Sequence, residues 1–226
     1  MLQLDNTIPP HTGDKIIYAG AVLNEADMAM ILLHGRGAGA VSMTGLIEHI
    51  FTDRISYVLP EAHNLTWYPY RFIEKRGANE PGISSGLTLI DALVQALGRR
   101  QIPREKIYLL GFSQGACLAA DYIARHPSRF GGIFILSGGL VGDRLNNRDY
   151  QGDLVQTPVF LGCSTTDFHI PETRVHESAA IFETLNAAVT KRLYPGLGHT
   201  INRDELDFVN HLLSEKTAYG LQNIGS

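Results

Sequence analysis

The sequence predicts an α/β protein with a largely parallel, twisted sheet flanked by helices. Seven apolar stretches have strand length, and several of them are apolar almost throughout, without the alternation of a half-exposed strand, which is typical of strands covered on both faces. Helical patterns lie between several of these stretches, and strand and helix in alternation favour parallel pairing. The predicted strands cover residues 15–20, 28–35, 54–62, 106–112, 131–139, 157–163 and 190–196.

The predicted helices are marked by apolar residues at three- and four-residue steps. In the first of them, over residues 84–100, Leu87, Ile90 and Leu93 lie on one apolar stripe. A second helix is predicted directly after Ser113, and two more cover residues 175–188 and 203–215. The polar segment 140–156 is predicted to be a surface loop. No internal repeat or linker-like change in composition is present, so one domain over residues 1–226 is expected, with its core at about 15–213 and a tail at each end.

Composition excludes several classes of function. The chain is 44% hydrophobic and 19% charged, as in ordinary globular proteins, and its formal net charge of −4 gives no basic surface for nucleic acid. No apolar run is long enough to span a membrane, and the first residues lack the basic and apolar regions of a secretory signal. Cys117 and Cys163 are expected to be reduced and buried, and the location is expected to be cytoplasmic. The oligomeric state stays open, with a homodimer as one option.

The most informative motif is Gly111-Phe112-Ser113-Gln114-Gly115, which stands between an apolar strand and an alanine-rich helix. A nucleophile elbow has this arrangement, because its strand and helix approach so closely that the residues two before and two after the serine must lack side chains. A serine that only caps a helix would not require the two glycines. The motif therefore predicts Ser113 as a nucleophile.

A serine nucleophile needs a base, and in this architecture the base is a histidine late in the chain, after an acid. His199 follows the last predicted strand in a glycine-containing loop, whereas His176 and His211 lie in predicted helices and His126 at a helix end. The acid is expected after a strand between the serine and the histidine, which indicates Asp167. The other carboxylates of this stretch are interpreted as solvated surface groups: Asp121, Asp143, Asp149 and Asp153.

The oxyanion of an acyl-transfer intermediate is bound by two backbone N–H groups. One is predicted at Gln114, next to the nucleophile, and the other in the glycine-rich loop after the second strand, His34-Gly35-Arg36-Gly37. That loop is not a phosphate-binding P-loop, because no G-K-[ST] follows. A dinucleotide-binding loop with Asp53 as its acidic residue is the remaining alternative.

With these motifs in place, the sequence resembles the phospholipase/carboxylesterase family of α/β hydrolases, which includes the acyl-protein thioesterases. The resemblance covers about residues 15–213 and rests on segments in the family's order: LLHGRG, WYPYRF, NEPG, LLGFSQGACLA, LSGGL, TPVFLGCSTTD, HIP and LYPGLGHTI. It implies a compact α/β-hydrolase fold without a large lid domain. The family's catalytic residues fall on Ser113, Asp167 and His199, and its oxyanion amides fall on Arg36 and Gln114.

Two departures from the family and one aromatic segment concern the substrate. Arg36 stands where the thioesterase branch usually has an apolar residue, and His169 lies close to the predicted acid. Trp67, Tyr68 and Phe72 lie in a segment too aromatic for an idle loop and are expected to wall the substrate pocket, although a purely structural role for them stays open. A shallow cleft suited to short or medium acyl chains is expected.

The sequence therefore predicts a serine hydrolase that cleaves a carboxylic ester through an acyl-enzyme. The expected substrate is a small-molecule ester or thioester. The mechanism requires no metal or organic cofactor. An acyl-thioesterase or lysophospholipase would use the same residues. A dienelactone-hydrolase-like enzyme would more often have cysteine at the elbow, and a non-catalytic binding module would normally have lost a residue of the triad.

Overall fold

The fold is built on one seven-stranded sheet. The structure, a computed structural model, describes residues 1–50 and 54–222, with side chains through residue 214. The strands are β1 (Ile16–Gly20), β2 (Met28–Leu33), β3 (Ile55–Pro60), β4 (Ile107–Phe112), β5 (Gly132–Leu136), β6 (Pro158–Ser164) and β7 (Ala188–Tyr194). Their order in the sheet is β1-β3-β2-β4-β5-β6-β7, and only β1 runs antiparallel to its neighbour. The predicted α/β class is confirmed, and each predicted strand stretch overlaps one of these strands, although β6 ends one residue after its stretch and β7 begins two residues before its own.

Helices cover both faces of the sheet. They are α1 (Thr44–Ile47), α2 (Gly82–Arg99), α3 (Gln114–Arg125), α4 (Glu172–Thr184) and α5 (Arg203–Gln222). The prediction for α4 was displaced toward its C-terminus, because Asn186 adopts a left-handed φ of 60° and turns the chain into β7. In the described residues no helix is long and apolar enough to cross a membrane, and no large lid is inserted between the strands.

Two hydrophobic clusters lie on opposite faces of the sheet, as the alternation of side chains along β2 demonstrates. Ala29, Ile31 and Leu33 belong to the cluster beneath α2, α3 and α4, which is called here the first cluster. Met30 and Leu32 point the other way into the second cluster, beneath α1 and α5. All six residues of β2 are buried, which explains why this stretch of the sequence is apolar without alternation.

Two segments predicted to be peripheral contribute to the core. Within residues 140–156, the central residues 143–149 are largely exposed, but Tyr150 and Leu154 are buried in the first cluster. At the N-terminus, Leu2 also belongs to that cluster, and the backbone N–H of His11 donates to Ser85 Oγ at 2.7 Å. The loop and the N-terminal segment therefore pack against the first cluster, which their polar sequences did not indicate.

Helix α3 lies unusually close to the sheet at its first turn. A Cβ atom on Gly111 would lie 2.5 Å from backbone atoms of Gly115 and Ala116. A Cβ atom on Gly115 would overlap the carbonyl oxygen of Leu33 in β2. Glycine is therefore required at both positions by the close approach of two backbones, as the elbow motif predicts.

Replacing Gly115 with alanine should lower the free energy of unfolding by about 1–3 kcal/mol or more, because the added methyl group has no space against β2. Gly98 is the matched control: it is an exposed residue of α2, and an added methyl group would meet nothing within 4 Å. Gly98→Ala should raise the stability by about 0.5–1 kcal/mol through helix propensity. Urea unfolding followed by circular dichroism measures both, and equal stability of the two variants would contradict the close approach.

Candidate active site

Ser113 is held in a strained backbone conformation between β4 and α3. Its φ and ψ are 54° and −117°, a region that residues other than glycine rarely adopt. The conformation is fixed on both sides, since the N–H of Ser113 donates to the carbonyl of Leu136 at 3.0 Å and its own carbonyl accepts from Cys117 N at 3.0 Å. The serine hydroxyl is thereby presented at the carboxyl edge of the sheet, where ligands bind in open α/β folds.

The three side chains predicted for catalysis meet at this edge. His199 Nε2 lies 2.8 Å from Ser113 Oγ, and His199 Nδ1 lies 2.7 Å from Asp167 Oδ2. Asp167 follows β6, and His199 lies in the loop between β7 and α5. The imidazole also contacts the ring of Phe112, with 5.0 Å between the ring centroids. Three residues that lie far apart in the sequence thus form one continuous hydrogen-bonded series.

Asp167 has the environment of an ionised carboxylate. Its burial alone would raise its pKa, but hydrogen bonds from His199 and from the backbone N–H groups of His169 and Ile170 outweigh that effect and lower it. The thiol of Cys163 is a further neighbour, with Sγ 3.9 Å from Asp167 Oδ2. A carboxylate at this position favours the tautomer of His199 that has its proton on Nδ1, which leaves Nε2 free to accept the serine proton.

Two backbone N–H groups predicted to bind an oxyanion lie beside the nucleophile. Gln114 is the first residue of α3, so its N–H has no partner within the helix. Arg36 follows Gly35, where a Cβ atom would lie 3.4 Å from the Cβ of Ser113, so the loop after β2 passes directly alongside the elbow. Gln114 and Arg36 both line the same cavity as Ser113.

A buried polar network that was not anticipated from the sequence fixes this loop. His34 Nε2 accepts from the N–H of Ala62 at 3.0 Å, so its Nδ1 carries the proton and donates to the carbonyl of Gly35 at 2.7 Å. Burial lowers the pKa of His34, which keeps the ring neutral as this arrangement requires. The side chain of Gln114 accepts from Trp67 N at 2.9 Å and donates to Tyr68 O at 2.7 Å. The one signal in the sequence was the polar histidine at the end of an apolar strand.

The aromatic segment after β3 is only partly a pocket wall. Tyr68 and Phe72 line the cavity around Ser113, as predicted. Trp67 does not: it is fully buried, and its indole N–H donates to the carbonyl of His34 at 2.9 Å. Its ring packs between His11 and His34, with centroid distances of 5.2 and 5.1 Å. The pocket role predicted for Trp67 is wrong, because this side chain supports the loop from beneath.

The cavity has a volume of about 490 Å³, which lies within the range of small-molecule sites. The segments that follow β2, β3, β4, β6 and β7 contribute to it, and its lining includes Ser113 and His199. Exposed side chains at its rim, including Arg36, Arg71 and His169, place its opening in solvent.

The remaining candidates from the sequence lie elsewhere. Asp143, Asp149 and Asp153 are exposed, as expected. The surface interpretation of Asp121 was wrong: its side chain is fully buried on α3 and forms ion pairs with Arg76 and Arg125. Cys117 and Cys163 are free and buried.

The dinucleotide alternative lacks the expected geometry. After β2 the chain enters a short 3₁₀ turn and then α1, which has only four residues, instead of the long helix whose N-terminus would face a pyrophosphate. Asp53, the acidic residue named for that alternative, lies outside the described residues.

Comparison with known proteins places this site in a family context. A family model described as Phospholipase/Carboxylesterase matches residues 21–217. The crystal structure of a phospholipase/carboxylesterase from Dyadobacter fermentans has a TM-score of 0.87 and 40% identity, covering 92% of this chain and 100% of that one. Acyl-protein thioesterase 1 from Kluyveromyces lactis is 31% identical over 214 residues, which is 84% of this chain and 92% of that protein. Lysophospholipase-like protein 1 from Mus musculus is 23% identical over 197 residues, 79% and 82% of the two chains.

One buried carboxyl group near the site has no catalytic assignment. Glu205, in the first turn of α5, accepts from the backbone N–H of Asn202 at 2.8 Å through one oxygen. Its other oxygen, Oε1, has no hydrogen-bond partner within the described residues and faces Gly162 in β6, where a Cβ atom would overlap it. Burial raises the pKa of Glu205 to about 7.

Glu205 should make stability depend on pH near neutrality. Its folded-state pKa of about 7 lies above the ordinary glutamate value of 4.5, so the folded protein binds the proton more tightly than the unfolded chain does. The resulting stabilisation of the fold is fully present below pH 4.5 and is lost as the pH rises through 7. Glu205→Gln should remove this loss, and at pH 8 it should be more stable than the parent by up to about 3 kcal/mol. Urea unfolding between pH 5 and 8 measures the difference.

Asp207→Asn is the control for this measurement, because it neutralises an exposed carboxylate on the same helix. It should leave the slope of stability against pH equal to that of the parent. A Glu205→Gln variant that follows the parent's slope would contradict the buried proton.

Proposed function

Because the chain belongs to the phospholipase/carboxylesterase family of α/β hydrolases, and is a hydrolase, we propose that it cleaves carboxylic esters through Ser113, His199 and Asp167. The observation that carries this proposal is the continuous hydrogen-bonded series from Ser113 Oγ through His199 to Asp167, with distances of 2.8 and 2.7 Å. Each contact lies within the range required of a nucleophile, a base and an orienting acid.

In the first half of the reaction, Ser113 Oγ attacks the ester carbonyl as His199 Nε2 takes its proton. The imidazolium that forms is stabilised by Asp167, whose carboxylate stays ionised because three hydrogen bonds hold its pKa low. The N–H groups of Gln114 and Arg36 donate hydrogen bonds to the negatively charged oxygen of the tetrahedral intermediate. His199 then gives its proton to the leaving alcohol, and the acyl group stays on Ser113.

In the second half, water takes the place of the alcohol. His199 removes a proton from the water as the water attacks the acyl-enzyme. The same two N–H groups donate hydrogen bonds to the second oxyanion. Collapse of this intermediate returns the proton to Ser113 and releases the carboxylic acid. The buried network of His34, Trp67 and Gln114 supports both halves, since it fixes the loop of Arg36 and the first turn of α3 relative to each other.

The substrate is a small ester with a short or medium acyl chain. The cavity of about 490 Å³ favours this size, since it receives no lid from the described part of the chain. A thioester is the second candidate, because relatives named acyl-protein thioesterase 1 match most of the chain. A non-catalytic role is not favoured, because all three side chains are present and in contact.

Replacing Ser113 with alanine should lower kcat by on the order of 10⁴ to 10⁶, because the covalent step loses its nucleophile. The assay is a series of 4-nitrophenyl esters from C2 to C16, run beside the matching acyl-thioesters, which also determines chain length and leaving group. A fluorophosphonate probe should label the parent and leave Ser113→Ala unlabelled. A folded Ser113→Ala variant with near-parental activity would overturn the mechanism.

Replacing Asp167 with asparagine should lower kcat by on the order of 10² to 10⁴, because the imidazole loses its orienting anion. Asp204 provides a matched control in the first turn of α5. It is about half exposed, at 54%, and accepts hydrogen bonds from Arg192 and Tyr194 instead of a histidine. Asp204→Asn should change kcat little, and a larger loss there than at Asp167 would reassign the acid.

A further inference from the structure

The cavity around Ser113 has two walls, and each wall continues one of the two hydrophobic clusters. Met43, Leu46, Phe112 and Ile201 pack with the second cluster and make one wall apolar. Tyr68 and Phe72 belong to the first cluster and form the opposite wall. Ser113, which lines the same cavity, follows β4, a strand with side chains in both clusters.

The second difference between the walls is charge. Arg36 and Arg71 both line the cavity on the side of Tyr68 and Phe72. The guanidinium of Arg36 donates to the carbonyls of Pro69 and Tyr70 at 2.7 and 2.6 Å, and its carbon lies 5.9 Å from the centre of the Tyr68 ring. One cationic group is therefore held in a fixed position at this wall.

Arg71 is held more loosely and is better placed to bind a ligand. Within the described residues its side chain makes one hydrogen-bond contact, a long one from Nη2 to the carbonyl of His169 at 3.5 Å, so most of its N–H donors are left for another partner. His169 in turn lies against the base, with 4.7 Å between the ring centroids of His169 and His199. Arg71 therefore contacts His169, which in turn contacts His199.

No acidic side chain offsets these charges. Within the described residues, no aspartate or glutamate lines the cavity, and neither Arg36 nor Arg71 takes part in an ion pair. The nearest carboxylate, Asp167, is buried and bound to His199. The pKa of His169 is lowered, first by burial and then by the charge of His199. Asp167 opposes this change by raising the pKa, whereas the positive charges of Arg71 and Arg36 lower it further.

We propose that the enzyme prefers esters that carry an anionic group, such as a carboxylate, opposite an apolar group. Arg71 binds the anion through charge-assisted hydrogen bonds, Arg36 adds to the positive potential, and the apolar part lies against Met43 and Leu46. The proposal rests on the esterase activity proposed above and specifies its substrate class. Guanidinium is suited to this role because its planar fork matches a carboxylate.

Two pairs of nearly isosteric esters test the preference and locate the anion. On the alcohol side, 4-acetoxybenzoate is compared with neutral 4-acetoxybenzamide. On the acyl side, the 4-nitrophenyl monoester of adipic acid is compared with its neutral methyl ester. In one of the pairs, kcat/KM should favour the anion by roughly 3- to 30-fold, the range between exposed ion pairs and charged hydrogen bonds. The ratio should fall as salt is added.

Arg71→Gln should bring that ratio close to one, and Arg71→Glu should reverse it. Arg129→Gln is the matched control, because it removes an arginine that donates to the carbonyl of Val155 and does not line the cavity. It should keep the parental ratio.

Three results would overturn the proposal. The parent could show no anionic preference in either pair, or Arg71→Gln and Arg129→Gln could lower the ratio equally, which would reduce the effect to net charge. In both of these cases hydrolysis that is lost in Ser113→Ala leaves the esterase activity standing. A parent that hydrolyses none of the four esters would overturn both proposals together.

Discussion

The close approach of the first turn of α3 to β4 and to the carboxyl end of β2 is the constraint on which the site depends. Gly111 and Gly115 have no room for a Cβ atom, so the strand and the helix meet backbone against backbone. The chain must then turn within one residue, and Ser113 takes the strained φ of 54° that this turn imposes. The packing of α3 in the first cluster, with alanines and Leu118 fully buried, supplies the stability that maintains this strain. The same turn leaves the N–H of Gln114 without an intrahelical partner, so one local constraint positions both the hydroxyl and the N–H predicted to bind an oxyanion.

A second level of support comes from the neutral buried histidine after β2. His34 hydrogen-bonds to the backbone of both Gly35 and Ala62. The indole of Trp67 donates to the carbonyl of His34, and the side chain of Gln114 accepts from the backbone N–H of Trp67. These contacts connect the loops after β2 and β3 to the start of α3. Because each of these polar groups is buried, a broken contact leaves an unsatisfied donor or acceptor, and the network has a single favourable arrangement. The positions of the loop after β2 and of the first turn of α3, which hold the N–H groups predicted to bind an oxyanion, therefore depend on this buried network.

Much of the fold and part of the site could be predicted because their signals are local. Fully buried strands read as continuous apolar runs, and the elbow requires glycine at fixed positions from Ser113. The roles of Ser113, His199 and Asp167 stay predictions, although the three side chains are in hydrogen-bond contact. Trp67 and Asp121 were misread because burial is decided by distant segments: Trp67 packs on His11, and Asp121 on α3 pairs with Arg76, which precedes α2. The raised pKa of Glu205 is equally invisible in the sequence, since it results from burial of the side chain against Gly162 in β6.

The distribution of charge separates the site from the rest of the molecule. The chain has a formal net charge of −4, yet the opening of the cavity presents two arginines and no carboxylate in the described structure. Elsewhere, arginines such as Arg76, Arg125 and Arg192 are paired with aspartates. A surplus of one sign in a cleft with low-dielectric walls raises the local concentration of the opposite charge, even when the protein as a whole repels it. The unpaired arginines at the cavity are thus a local exception to the negative net charge, and selectivity for an anionic substrate is the function that such an exception would serve.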